Sequence, residues 1–151
     1  MNKQQFKKMI KYTSKNTSNK SYNVFGGFLI TSKFIIPIRI IDLDIDTIDE
    51  LMKSEGFIKD LSEEMFNKVY PQNKDDFKKA RLIKHYYYKD DINVFYRIID
   101  IDNKKYLVVS IIFDTIFPNS YDDIYVDIDD ELKWGLLVDR DFQVVIPIAK
   151  L

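Results

Sequence analysis

Cysteine is absent from this chain, and histidine occurs once. The first absence excludes a disulfide frame and thiolate metal ligation. The second excludes HExxH and multi-histidine zinc sites. Glycine stands only at Gly26, Gly27, Gly56 and Gly135, so no phosphate-cradling GxGxxG or GxxxxGKS loop can be written. An EF-hand is excluded for the same reason, because its sixth loop position needs a glycine. Long apolar runs are missing too. The richest run, YLVVSIIFDTIF, has 12 residues and contains Asp114, where a membrane span needs about 20. The opening MNKQQFKKMIKYTSKN holds no apolar core of a signal peptide. The expectation is a soluble, cytoplasmic protein with no membrane span, no metal and no cofactor.

What is present is aromatic and charged. The chain has 151 residues, 11 Phe and 10 Tyr, a length that suits one globular domain spanning 1–151. Ile, Lys, Asn, Asp, Tyr and Phe dominate, and all are encoded by codons rich in A and T. The net charge of −1 conceals an asymmetry. Residues 1–41 hold seven Lys and one Arg and no acid (+8), while the other 110 hold 15 basic and 24 acidic side chains (−9). Such a division marks an interaction surface, or else two parts that neutralise each other within the fold.

Periodicity divides the chain into elements. The basic N-terminal segment 1–21 begins with a short helix over 2–12, in which Phe6, Met9 and Ile10 share a face, followed by a polar loop. VFGGFLITSKFIIPIRIIDLDI reads as two strands turning at Ser32-Lys33, with Pro37 placing its strand at an edge or bulge. Asp42 and Asp44 then end a strand, and Thr47 with Glu50 is a capping box that starts a helix closed by Gly56. Further helices are expected in FIKDLSEEMFNKVYP and NKDDFKKARLIKHYYY. INVFYRIIDI and YLVVSIIFD make a hairpin about DNKK, IYVDID alternates as a half-exposed strand, and WGLLVDRDFQVVIPI forms a last hairpin. GFLITSKFIIPI (27–38) echoes GLLVDRDFQVVIPI (135–148), as a duplication or as two similar hairpins. The fold class is therefore α+β: a mainly antiparallel sheet of about six or seven strands with about three or four helices packed against it.

Candidate chemistry rests on carboxylates. Asp42, Asp44 and Asp46 alternate with apolar residues, as either a metal ladder or a solvated face. Glu131-Leu132-Lys133, with Asp114 or Asp123 upstream, resembles the Asp…Glu-x-Lys pattern of restriction-type nucleases. That resemblance implies two metal-holding carboxylates and a lysine that positions water. Asp122, Asp123, Asp127, Asp129 and Asp130 crowd together without an intervening Lys or Arg. Tyr86, Tyr87 and Tyr88 follow His85, and exposed tyrosines are interface anchors.

These features lead to the expectation of a non-catalytic protein-binding protein. The partner is basic, as a nucleic-acid-attacking toxin domain is, and the chain is then an immunity or antitoxin-like protein with an acidic surface. The alternatives are a metal-dependent nuclease or phosphodiesterase on the Glu-x-Lys residues, and binding of nucleic acid or an anionic membrane through the basic N-terminus. Nucleic acid is not the expected partner, because the interleaved aromatics of RNA-binding platforms are missing.

Overall fold

The structure is a computed structural model that describes residues 1–69, 77–89, 94–118, 124–129, 134–138 and 143–151. The chain falls into two compact units, Met1–Val69 and Tyr70–Leu151. It is α+β, and among the described residues the pairings between strands inside each unit are antiparallel.

The first unit opens with α1, Lys3–Lys15, which runs three residues past the end that its apolar spacing predicts. Asn2 caps it. The Asn2 side chain accepts from the Gln5 amide at 2.9 Å, and the Gln5 side chain accepts from the Asn2 amide at 2.8 Å, a reciprocal capping box. Phe6, Met9 and Ile10 are fully buried.

Three strands follow, not two: β1 Tyr22–Phe25, β2 Phe28–Thr31 and β3 Ile35–Pro37. The extra turn is Gly26-Gly27, with φ of 60° and 81°. A Cβ on either glycine would meet nothing within 4 Å. The backbone conformation, not crowding, therefore calls for glycine in this two-residue hairpin loop.

Pro37 ends β3, and a 3-10 turn at Ile38–Ile40 carries the chain away from the sheet. Asp42 and Asp44 are therefore not on a strand. Asp44 caps α2, Ile45–Ser54, three residues before the expected Thr47 start. Its Oδ1 accepts from the Thr47 amide at 2.7 Å. Gly56, at φ 87°, closes the helix as expected. The next helix, α3, spans only Glu63–Val69. The backbone of Ile58 is used elsewhere: its N–H donates to the Lys20 carbonyl at 2.8 Å and its carbonyl accepts from the Tyr22 N–H at 2.9 Å. That bridge holds 57–60 out of a helix. Phe66 on α3 stacks edge-on to Phe25 at 5.1 Å and lies 5.3 Å from Phe28.

The second unit is a seven-strand antiparallel sheet among the described residues. Its strands are β4 Lys78–Lys89, β5 Phe95–Ile101, β6 Lys104–Val109, β7 Ile124–Asp129, β8 Trp134–Val138, β9 Gln143–Pro147 and β10 Ala149–Lys150. They run in the order β9-β8-β7-β4-β5-β6-β10. The helix expected over 73–88 is instead β4, in so far as 77–89 are described. Ala80 and Leu82 are buried while Lys79 and Arg81 are exposed, a period of two. Lys78–Ala80 pair with β7, and Arg81, Leu82 and Tyr87–Lys89 pair with β5 across a register shift. Pairing on both sides overrides the helix propensity of Lys, Ala, Arg and Leu.

The β5–β6 hairpin turns on Asp102 and Asn103, at φ 53° and 66°. Lys104 and Lys105, expected in the turn, belong to β6. Tyr106, Leu107 and Val108 are all buried, so this strand is covered on both faces as its two apolar sides implied. The strand ends early, however. Ser110–Ile116 is α4, burying Ile112, Phe113 and Ile116 at helical spacing. β7 keeps its expected alternation, with Ile124 and Val126 buried and Tyr125 exposed.

The two echoing segments are both hairpins whose second strand ends in Ile-Pro. Their pairings have the same spacing, Leu29 with Ile36 and Leu137 with Val144, but the Ile-Pro falls two residues further along the second strand of the later hairpin.

Candidate functional surfaces

The aspartates of 42–46 are separated in role by the geometry. Asp44 is a helix cap. Hydrogen bonds from the Thr47 side chain and then from its backbone hold the Asp44 carboxyl below the usual carboxylate range. Asp46 lies in the first turn of α2, where the helix dipole favours an acid. Among the described residues no three His, Asp or Glu side chains are grouped as metal ligands are.

A further carboxylate in this unit, Asp49, has a structural partner that sequence reasoning missed. The fully buried Tyr22 donates its hydroxyl to Asp49 Oδ1 at 2.7 Å, and Lys59 Nζ lies 3.2 Å from Oδ2. Burial acts to raise the Asp49 pKa, but the Tyr22 hydrogen bond and Lys59 outweigh it and leave it lowered. Burial, and then Asp49 itself, push the Tyr22 hydroxyl pKa upward. No spacing rule links residues 27 apart, so only the topology reveals this pair.

Asp114, the upstream acid of the nuclease-like pattern, sits on α4. It accepts from Arg97 Nε at 2.9 Å and from Arg97 Nη2 at 3.2 Å, and from the Ser110 hydroxyl at 3.0 Å. The Arg97 side chain is 13% exposed. A bidentate arginine is a charge-assisted partner that a metal would have to displace. Asp123, Glu131 and Lys133 lie outside the described residues.

Of the acidic cluster, Asp122, Asp123 and Asp130 are likewise outside the described residues. Asp127 and Asp129 lie on β7, and Asp127, two positions after Tyr125, shares its strand face; the side chain of Asp129 is outside the described set. Tyr125 is 41% exposed and Asp127 half-buried. Across the ladder, Lys79 of β4 stands opposite Tyr125, and Leu136 and Trp134 of β8 stand opposite Asp127 and Asp129. Tyr86, Tyr87 and Tyr88 fall on β4, with Tyr87 opposite Arg97 and Tyr88 opposite Tyr96. Their side chains are outside the described set.

The basic N-terminus is laid out on α1. Lys3, Lys7, Lys8, Lys11 and Lys15 are all exposed, and among the described residues none of them forms an ion pair. Pairwise neutralisation by the acidic remainder, one of the two expectations for this charge, is not seen there. The chain matches no family model, no curated protein and no solved structure.

Proposed function

We propose that this chain is a small binding protein without catalysis of its own, whose C-terminal unit engages a basic protein through the outward face of β7. The observation that supports this reading is Tyr125. It leaves a large aromatic ring 41% exposed on a strand paired on both sides, with Asp127 on the same face. Tyrosine supplies apolar area and a hydroxyl at low entropic cost, and it is enriched among residues that dominate interface energy. Flanking carboxylates steer a basic partner and raise its association rate. A toxin that attacks nucleic acid carries a Lys- and Arg-lined site of this complementary chemistry, and neutralising such a toxin suits a chain of this size.

The test begins with capture by the tagged full chain in its native host, identification of the partner by mass spectrometry, and a check of the neighbouring gene. Rates are then measured with the purified pair. Tyr125→Ala should speed dissociation at least tenfold. Asp127→Asn with Asp129→Asn should slow association and flatten its salt dependence. Unchanged rates for both variants would place the interface elsewhere and overturn the reading.

A further inference from the structure

We propose that the lysine face of α1 binds the phosphate backbone of nucleic acid without regard to sequence. This is independent of the β7 reading, since it concerns the other unit. Lys3, Lys7, Lys11 and Lys15 follow one another at four-residue steps, and Lys8 lies beside them. At 3.6 residues per turn these five occupy an arc of about 140°, and the row from Lys3 to Lys15 rises roughly 18 Å. The only other residues within that arc are Gln4, which is exposed, and Ser14, which is buried near its edge and donates to the Glu55 carbonyl. Phe6, Met9 and Ile10, on the other side, are fully buried, which fixes the lysine face outward.

The arrangement works against the helix that carries it. Lysines at four-residue spacing repel each other, and α1 has three such steps with no acid on the helix to break them. Lys3 stands in the first turn, where the macrodipole disfavours a cation and where α1 has no acidic residue. No ion pair among the described residues relieves the row. An ordered anionic ligand does. Duplex nucleic acid presents one charge per about 1.7 Å of axis, so an 18 Å row faces a continuous series of phosphates.

The same geometry disfavours a membrane. An interfacial helix inserts its apolar side among acyl chains, and here that side is already buried in the protein. Base-stacking aromatics, whose absence turned the sequence reading away from nucleic acid, are not needed when only the backbone is bound.

The test is fluorescence anisotropy of a labelled mixed-sequence DNA duplex with the full chain across a salt series. Each engaged lysine contributes about −0.9 to the slope of log K against log salt, so five give roughly −4 to −4.5. A duplex of scrambled sequence should bind equally. Replacing Lys7, Lys8 and Lys11 with Gln should flatten the slope by roughly 2.7, while replacing the same three with Arg should retain it. Because the wild-type slope needs no variant, the proposal stays testable if the Gln variant does not fold. Absence of duplex binding at 50 mM salt would overturn it. So would a slope that the Gln variant leaves unchanged, or stronger binding to phosphatidylserine vesicles or polyglutamate than to the duplex.

Discussion

Tyr22→Phe removes one oxygen from a fully buried ring and deletes the hydrogen bond to Asp49. A hydrogen bond to a charged group contributes about 1.5–3 kcal/mol. Asp49 is still 19% exposed and retains Lys59, so the lower end applies, about 1.5 kcal/mol. For a chain of 151 residues that corresponds to a fall of roughly 3–6 °C in Tm. The pH dependence is the sharper check. The folded Asp49 carboxyl titrates below its unfolded value, so its contribution is present above about pH 4 and is lost as pH falls through the lower folded pKa. Without the Tyr22 hydroxyl, burial has less opposing it and this contribution shrinks. The raised Tyr22 pKa acts at the other end: wild-type stability falls above about pH 10, where the unfolded tyrosine ionises first, and the Phe variant lacks that term. Urea denaturation of both proteins from pH 3 to 10.5 should therefore show a stability difference that peaks near neutrality and narrows at both ends. A difference that is flat with pH, or a variant as stable as wild type at pH 7, would refute the reasoning.

Gly27→Ala should lower stability by about 1–2 kcal/mol, because the left-handed backbone at φ 81° is disfavoured for alanine even though the space is open; urea denaturation measures it. Asp114→Asn should cost about 1–3 kcal/mol by removing the charge from the bidentate hydrogen bonds of the mostly buried Arg97, seen as a lower Tm. Calorimetric titration with magnesium, manganese, calcium and zinc should show no specific heat. A one-site isotherm abolished by Glu131→Ala would instead promote the nuclease reading.

What was legible in the sequence was local and periodic. The apolar spacing of Phe6, Met9 and Ile10 locates α1, and the alternation of IYVDID locates β7 with Ile124 and Val126 inside. The errors arose where composition spoke for one structure and pairing chose another. FKKARLIK has helix formers throughout, but β5 and β7 hydrogen-bond to β4 on both edges, and the buried pair Ala80 and Leu82 already shows strand parity. SIIFDTI is rich in β-branched residues and reads as strand. Its burial at Ile112, Phe113 and Ile116, with Ser110 bonded to Asp114 four residues on, is helical. The chain turns at Ser32-Lys33 as expected and also at Gly26-Gly27, a dipeptide that itself signals a tight hairpin. The Tyr22–Asp49 and Arg97–Asp114 pairs have no sequence signature, since each depends on how separate elements meet.

The charge division persists in the fold in a specific form. Within the first unit, residues 1–41 carry +8 and residues 42–69 carry nine acids and three bases, or −6. The acids with described partners serve local tasks: Asp44 caps α2, and Asp49 holds Tyr22 and Lys59. None reaches across to the α1 lysines within ion-pair distance. Composition sets how many lysines and aspartates the chain has, but not where they stand. Helix α2, drawn from the same residue pool, obeys the dipole rule with Asp46 in its first turn and Lys53 in its last. Helix α1 breaks that rule at Lys3, obeys it at Lys15 in its last turn, and adds like-charge steps along its length. That like-charge row is what the proposed binding of a phosphate backbone would relieve.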